Sequence, residues 1–264
     1  MKKILRNQKR DYLREFLKVA PLSHALWRAV EALAFAKIKI PRDSLDIGCG
    51  FGEFAGVVFN QFEVGIDING RDLSEAVRSG KYRKVKLADS GKLPFPNNSF
   101  SLIVSVSVLE HIKNPEKVLK EIARVTKKGG TFVFSVPTTG LYNNLLGRKF
   151  FQKLGLGAIA DSYCHLHQKI FHHESIFPSG WWEKKIKSSG FSLIEKTGTI
   201  SSLVANLHEI FLLSALPSQL WKIATGHRLI IFQLRAKLFP LIFGRFVKLD
   251  PQSTINMFYM AKKL

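Results

Sequence analysis

Apolar and polar positions along this chain follow two alternating periods between residues 44 and 136. Short apolar runs at Ser44–Ile47, Phe62–Asp67, Lys84–Ala88, Ser101–Val106 and Thr131–Val136 predict strands. Helical spacing lies between them at 52–60, 71–79 and 115–126. In the last stretch Pro115 suits a first turn, Val118, Leu119, Ile122 and Val125 share one face, and Gly129-Gly130 predicts the stop. Leu102-Ile103-Val104 is apolar on both faces, as expected of a parallel strand covered by helices on both sides. The pattern predicts an α/β class domain with a doubly wound sheet.

The flanks extend this frame. Pro21 to Ile40 predicts a helix ending before Pro41, and Arg28 and Glu31 among its apolar residues exclude a membrane span. Residues 140–160 predict one amphipathic lid helix with glycines at its ends. Glu174 to Ser189 predicts another helix, Phe191 to Lys196 a sixth strand, and Thr254 to Ala261 a seventh. The chain therefore divides into an N-terminal helical cap (1–40), a domain built from 41–200 and 251–264, and an apolar-basic helical insertion (201–250). The insertion holds Ile210-Phe211-Leu212-Leu213, Leu229-Ile230-Ile231-Phe232 and Leu238-Phe239-Pro240-Leu241-Ile242-Phe243, punctuated by Lys222, Arg228, Arg235, Lys237, Arg245 and Lys248. Its longest uncharged stretch, Ile210 to Trp221, is too short to cross a bilayer and contains Pro217, so the expectation is a segment lying in an anionic membrane surface.

Charge supports that expectation. The 264 residues carry 40 Lys+Arg against 20 Asp+Glu, a net +20. Residues 1–40 hold +7, 41–139 only +3, 140–200 +4 and 201–264 +6, so the excess sits outside the strand-rich middle. Basic flanks around a nearly neutral centre fit an anionic partner, lipid headgroups or phosphates. Two cysteines, Cys49 and Cys164, form no disulfide framework and match no metal-ligand spacing, also when the nearby histidines are included, so no metal site is expected. With no sustained apolar stretch or cleavage site in residues 1–18, the expected setting is cytoplasmic, peripheral on the inner face of the membrane.

The chemistry gathers at strand ends. Leu45-Asp46-Ile47-Gly48-Cys49-Gly50-Phe51-Gly52 runs from the first strand into a helix, with glycines that permit a tight turn and close approach to a ligand. Asp67 ends the second strand, where a carboxylate can accept hydrogen bonds from both ribose hydroxyls. Ala88-Asp89 ends the third, and Val108-Leu109-Glu110-His111 follows the fourth. These segments resemble the motifs of the class I S-adenosylmethionine-dependent methyltransferases, in their ubiquinone-biosynthesis-like branch, from about Ser44 to Pro137. The resemblance implies a Rossmann-like seven-stranded, mostly parallel sheet and S-adenosylmethionine as cofactor. It places Asp46, Gly48, Cys49, Gly50 and Gly52 at the methionine part, Asp67 at the ribose and Ile68 beside the adenine. Asp89 with its neighbour Ser90 falls at the adenine amino group, and Leu109 with its neighbours lines the methyl-donor end. That branch often has Asp where this chain has Ser101, which puts one structural contact in doubt but no cofactor contact.

A nicotinamide cofactor is the competing reading. It asks for a third glycine where Glu53 stands, and a carboxylate sits badly against a pyrophosphate. A sulfonium methyl is already electrophilic, so the protein mainly aligns the acceptor, and an oxygen acceptor also calls for a base. His111 is best placed for that role, and His167 with Phe171 resembles a His-x-x-x-Phe segment close to the acceptor pocket. His165, His172 and His173 read as surface or helix-start residues. The expected substrate is small and amphiphilic or lipid-linked, such as a quinone precursor, a lipid or a lipid-linked glycan. An RNA methyltransferase exploiting the charge is the less favoured alternative, because the basic segments are interleaved with aliphatics rather than stacking aromatics. A non-catalytic cofactor-binding scaffold is the third.

Overall fold

The computed structural model describes residues 11–212 and 233–264, with side chains from 236 onward in the second segment. Seven strands form one sheet in the order β3-β2-β1-β4-β5-β7-β6. They are β1 (Ser44–Ile47), β2 (Phe62–Asp67), β3 (Tyr82–Leu87), β4 (Phe100–Val106), β5 (Thr126–Pro137), β6 (Phe191–Gly198) and β7 (Asn256–Lys263). The first five pair in parallel, and β7 runs antiparallel between β5 and β6. The sheet is thus doubly wound and mostly parallel, as the alternation predicts.

Alternate residues feed two layers. Ile103, Phe132, Phe134 and Val136 face α5 (Pro115–Val125) and α9 (Ser179–Ser188), which contribute Leu119, Ile122, Trp182 and Ile186. Leu102, Val104, Val133 and Phe258 face α2 (Leu22–Phe35), α3 (Glu53–Val58) and α4 (Gly70–Arg78). This two-sided burial explains why β4 lacks a polar face. A further helix, α1 (Tyr12–Leu17), precedes α2 and packs on it.

Several boundaries differ from expectation for local reasons. The helix at 115 begins on an Asn114 cap whose side chain accepts from the Lys117 amide, but it ends at Thr126, before the glycines. Gly129 (φ 73°) and Gly130 lie inside β5, where the β4 pairing slips between Phe100 and Leu102. The third strand starts two residues early, at Tyr82, because that ring packs against Gly65 and stacks with Phe62. The helix at 21 stops at Phe35, and the one expected from Glu174 starts at Ser179, behind Pro178. The helix expected over 52–60 is trimmed to α3.

The expected lid helix over 140–160 is three elements. α6 (Thr139–Asn144) is broken at Leu145 by an extended ψ of 132°, α7 (Leu146–Lys153) follows, and a turn at Gly155 (φ 74°) leads into α8 (Gly157–Ile170). Residues 202–212 form α10, whose Glu209 accepts from the Leu146 and Gly147 amides and from Tyr163 Oη, at 2.7, 3.0 and 2.6 Å. One carboxylate therefore satisfies the start of α7 and ties it to α8.

The connection between β6 and β7 also contains α11 (Gln233–Phe243) and a 3-10 turn at Gly244–Phe246. Leu213, Trp221, Lys222, Arg228 and the run from Leu229 to Phe232 lie outside the described residues. Phe239 and Phe243 stack on each other and Phe243 meets Phe211 edge-on, so these rings turn inward towards α1 and α10. Leu238, Leu241 and Ile242 face outward instead.

Candidate active site

In this strand order β1 lies between β2 and β4, whose crossovers run in opposite directions, and ligands of doubly wound sheets bind at such a switch point. The loop after β1 carries Gly48, Gly50 and Gly52 at φ values of 73°, 51° and 81°, a backbone region that side chains disfavour. A Cβ at Gly48 would collide with Val108, which follows β4. Asp67 fixes the loop from the next strand: its Oδ2 accepts from the Gly50 amide at 2.8 Å and its Oδ1 from the Asn69 amide at 2.9 Å. Each oxygen keeps a lone pair for a further donor.

Asp46 sits beneath this loop, where Tyr82 Oη donates to its Oδ2 at 2.7 Å. Burial pushes its carboxyl up to about 7, against the pull of the Tyr82 hydrogen bond. Ile68 is 77% exposed beside Asp67. Asp89 is exposed, with Oδ1 accepting from the Gly91 amide at 2.7 Å, and its neighbour Ser90 is buried. Two predicted residues turn away from the crevice. The Cys49 side chain packs between Gly65 and the apolar layer around Tyr82, and Leu109 is fully buried beside α5. Only their backbone is left to meet a ligand. Ser101 donates to Asp43 Oδ1 at 2.6 Å, and Asp43 Oδ2 pairs with Lys127, so a contact is built at that position.

Across the switch point lies a cavity of ≈ 110 Å³ lined by residues from elements far apart in the chain. α2 supplies Arg28, the segment after β4 supplies Ser107, Glu110 and His111, α8 supplies His167, and α10 supplies His208. His173 also lines it, so the surface reading of that residue is corrected: the backbone turns back at His172 and carries it inward. His172 holds φ 52°, a strained value for a residue with a side chain. The Glu174 and Ser175 amides both donate to the Glu110 carbonyl, at 2.8 and 2.9 Å, which holds that turn.

The surroundings of His111, His167 and His173 disfavour their charged form. Burial lowers His111, His167 and His173, the second to about 4 and the third to about 3, and neighbouring imidazoles lower His173 further. His111 Nδ1 lies 3.1 Å from the His172 carbonyl oxygen, which requires the hydrogen on Nδ1 and leaves Nε2 a free base. That nitrogen stands 4.0 Å from Glu110 Oε1. His173 Nδ1 shares a 2.7 Å hydrogen bond with Tyr142 Oη. His167 stacks on Phe171 at 4.5 Å, and neither of its ring nitrogens has a hydrogen-bond partner among the described residues. Burial pushes the Glu110 carboxyl up to about 8. Glu110, His111 and His173 place one ligand atom each within 4.8 Å of one another, the group among the described residues compact enough to hold a cation.

The floor of the cavity rests on Glu31, which sequence reasoning used only to exclude a membrane span. Its Oε1 accepts from Ser107 Oγ, Ser135 Oγ and Asn256 Nδ2 at 2.9, 2.7 and 3.0 Å, and its Oε2 from Arg28 Nη1 at 2.7 Å. One fully buried carboxylate thus joins α2 to β5, to β7 and to the residue after β4. Burial opposes the charge on Arg28, and Glu31, Glu53 and Glu110 together more than offset it. The signal available in the sequence was an Arg–Glu pair at i, i+3 on an otherwise apolar helix.

Fold and crevice together define a Rossmann-like methyltransferase, and comparison with known proteins agrees. Residues 45–134 match the family described as a methyltransferase domain. The chain is 32% identical to the ubiquinone/menaquinone biosynthesis C-methyltransferase of Neisseria meningitidis over 57% of its own length and 67% of that protein. It is 32% identical to ajmaline N-methyltransferase of Rauvolfia serpentina, but spans only 40% of that relative's length. An S-adenosylmethionine-dependent methyltransferase structure from Thermotoga maritima shares the fold, with a TM-score of 0.56 at 17% identity, covering 92% of each chain. This chain belongs to the class I S-adenosylmethionine-dependent methyltransferases, enzymes whose cofactor is S-adenosylmethionine.

Proposed function

We propose that this protein transfers the methyl group of S-adenosylmethionine to a small amphiphilic or lipid-linked acceptor held in the histidine-lined cavity. The observation that carries this reading is the cavity's position and surroundings. Its lining includes Ser107, next in the chain to the Val108 that abuts Gly48 of the glycine loop, the rest is largely aromatic and aliphatic, and the helical hairpin α7–α8 is rooted at it through His167. The tip of that hairpin is apolar and exposed: Leu154, Leu156 and Ile159 are 56%, 41% and 46% accessible, and no charged residue occurs from Leu154 to Ala160. Lys149 and Lys153 stand just before it, exposed. Apolar tips with basic shoulders suit an anionic membrane surface, where a lipid-linked acceptor resides. The relative from Neisseria meningitidis, named for ubiquinone and menaquinone biosynthesis, points to the same substrate class. No helix among the described residues is long and apolar enough to cross a membrane, so attachment would be peripheral.

In this reading Gly48, Gly50 and Gly52 let the backbone meet the methionine part of the cofactor, with Asp46 beneath to balance its positive charge. Asp67 takes the ribose hydroxyls on its remaining lone pairs, Ile68 covers the adenine, and Asp89 accepts from the adenine amino group. The bound cofactor supplies an electrophilic methyl, and positioning of the acceptor in line with it provides roughly 7–11 kcal/mol of barrier reduction. His111 Nε2 takes the proton of an acceptor hydroxyl, and His167 offers a hydrogen bond to the acceptor's polar end. The test is turnover of a labelled methyl donor with extracted lipids. Label entering the organic phase through the wild type, and not through His111→Ala, supports the reading. Label confined to RNA overturns it.

A further inference from the structure

We propose that Glu110, His111 and His173 form a site for a divalent transition-metal cation that binds the acceptor's oxygen. This deepens the reading above and rests on it only for the identity of the acceptor. Two imidazoles and one carboxylate are a donor set that zinc and its first-row neighbours take, and three protein ligands leave positions open for a substrate atom.

Four independent features converge on the site. The first is an orphan: Glu110 is 2% exposed, lines the cavity, and its Oε2 has no hydrogen-bond partner among the described residues. A buried carboxylate oxygen left without a donor is rare enough to require a reason. The second is compactness. The three ligand atoms lie within 4.8 Å of one another, and tetrahedral zinc at its usual bond lengths asks for about 3.3 Å between ligands.

The third feature is the shell behind the ligands. Metal-bound histidines nearly always donate their other N–H to a carbonyl or hydroxyl oxygen, which fixes the tautomer. His111 Nδ1 donates to the His172 carbonyl, and His173 Nδ1 is engaged by Tyr142 Oη. The His111 ring is therefore arranged to leave Nε2 for a ligand, and so is the His173 ring when its Nδ1–H donates to the Tyr142 oxygen. The fourth is backbone strain at the one residue that joins these parts. His172, at φ 52°, offers its carbonyl to His111 and delivers His173 into the cavity. Ser175 Oγ, donating to the Ile112 carbonyl at 2.6 Å, adds to the clamp on this turn. The charge of Arg28, which lines the same cavity, is offset by Glu31 at 2.7 Å.

An acceptor hydroxyl bound to such a cation loses its proton to solvent at lower pH, and the resulting oxygen anion is the nucleophile for the methyl group. The lone pair of His111 Nε2 then serves as ligand instead of as base.

The test is dialysis of the purified full-length protein against Co²⁺, read by metal analysis and by the visible absorption of the bound ion. One equivalent per chain is expected. Glu110→Gln and His173→Ala should each lower Co²⁺ affinity at least 100-fold. Tyr142→Phe, which removes only a hydroxyl behind a ligand, should lower it about 10- to 100-fold. His165→Ala, on the exposed side of α8, should leave it unchanged. Calorimetry with S-adenosylmethionine reports whether each variant is folded; should Glu110→Gln fail that control, His173→Ala and Tyr142→Phe decide. Failure of the wild type to bind Co²⁺, or unchanged affinity in folded variants, overturns the site. If no metal binds while His111→Ala still abolishes transfer to lipid, the base reading stands and only the cation is lost.

Discussion

The two sides of the switch point are built on opposite principles. On the β1–β3 side the chain presents backbone: three glycines at positive φ, and an Asp67 whose oxygens already hold the Gly50 and Asn69 amides. Asp89 is exposed and Asp67 half-buried there, with Asp46 buried beneath the glycine loop. On the β4–β5 side it presents side chains from six elements, with Glu31, Arg28 and His173 held by hydrogen bonds across up to 225 residues. The first arrangement suits a ligand that every relative shares, because backbone contacts tolerate sequence change. The second suits a ligand particular to this chain, because each lining side chain is a separate choice. Disturbing the first side should therefore change cofactor affinity and leave the chemistry intact, and disturbing the second should change chemistry and stability.

The largest effect should come from His111→Ala, which removes the group nearest the acceptor on the second side. Turnover should fall by roughly 10²–10⁴-fold while S-adenosylmethionine affinity, measured by calorimetry, stays level. A fall in both would merge the two halves into one unit. Glu31→Ala should come next: it strands Arg28 and three hydrogen-bond donors in the interior, at a cost of about 3–5 kcal/mol. For a chain of this size that lowers the melting temperature by roughly 10 °C. An unchanged melting point would show that α2 is merely laid on the sheet.

On the first side, Asp67→Ala should weaken cofactor binding by about 1–3 kcal/mol, with little change in melting temperature. The first side also carries an effect of pH, through Asp46. Its folded carboxyl is raised from 3.8 to about 7, so the folded protein holds this proton more tightly than the unfolded chain does. Its contribution is most favourable below about pH 4, declines as pH rises towards 7, and is level above that. Asp46→Asn should flatten that part of the stability curve, and a parallel decline in both proteins would contradict the burial argument. Leu154→Ser with Ile159→Ser should reduce flotation with anionic liposomes and leave transfer to a soluble acceptor analogue intact. Equal flotation would move membrane contact elsewhere.

The same contrast explains what the sequence revealed. The glycine loop and the carboxylates at Asp67 and Asp89 mark strand ends by local spacing, so fold class and the places of the first strands along the chain were readable without coordinates. Tyr82 was not, because its hydrogen bond to Asp46 depends on β3 lying two strands away. Nothing local tells that Glu31 meets Asn256, or that a strained His172 turns His173 inward. The lid broke into three helices because Leu145 leaves helical geometry where Glu209, 64 residues on, caps the next helix. Amphipathic period alone does not report such long-range caps. The inward turn of Phe239 and Phe243 on α11 likewise depends on Phe211, a ring from another helix.

The central claim is that the histidine-lined cavity receives an amphiphilic acceptor from a membrane surface. Its most direct test is incubation of the protein with methyl-labelled S-adenosylmethionine and anionic liposomes containing a total lipid extract, followed by phase separation. The account predicts label in the organic phase that depends on His111 and falls when Leu154 and Ile159 are changed to Ser. Label that stays in the aqueous phase with intact cofactor binding, or that enters lipid equally in every variant, would contradict it.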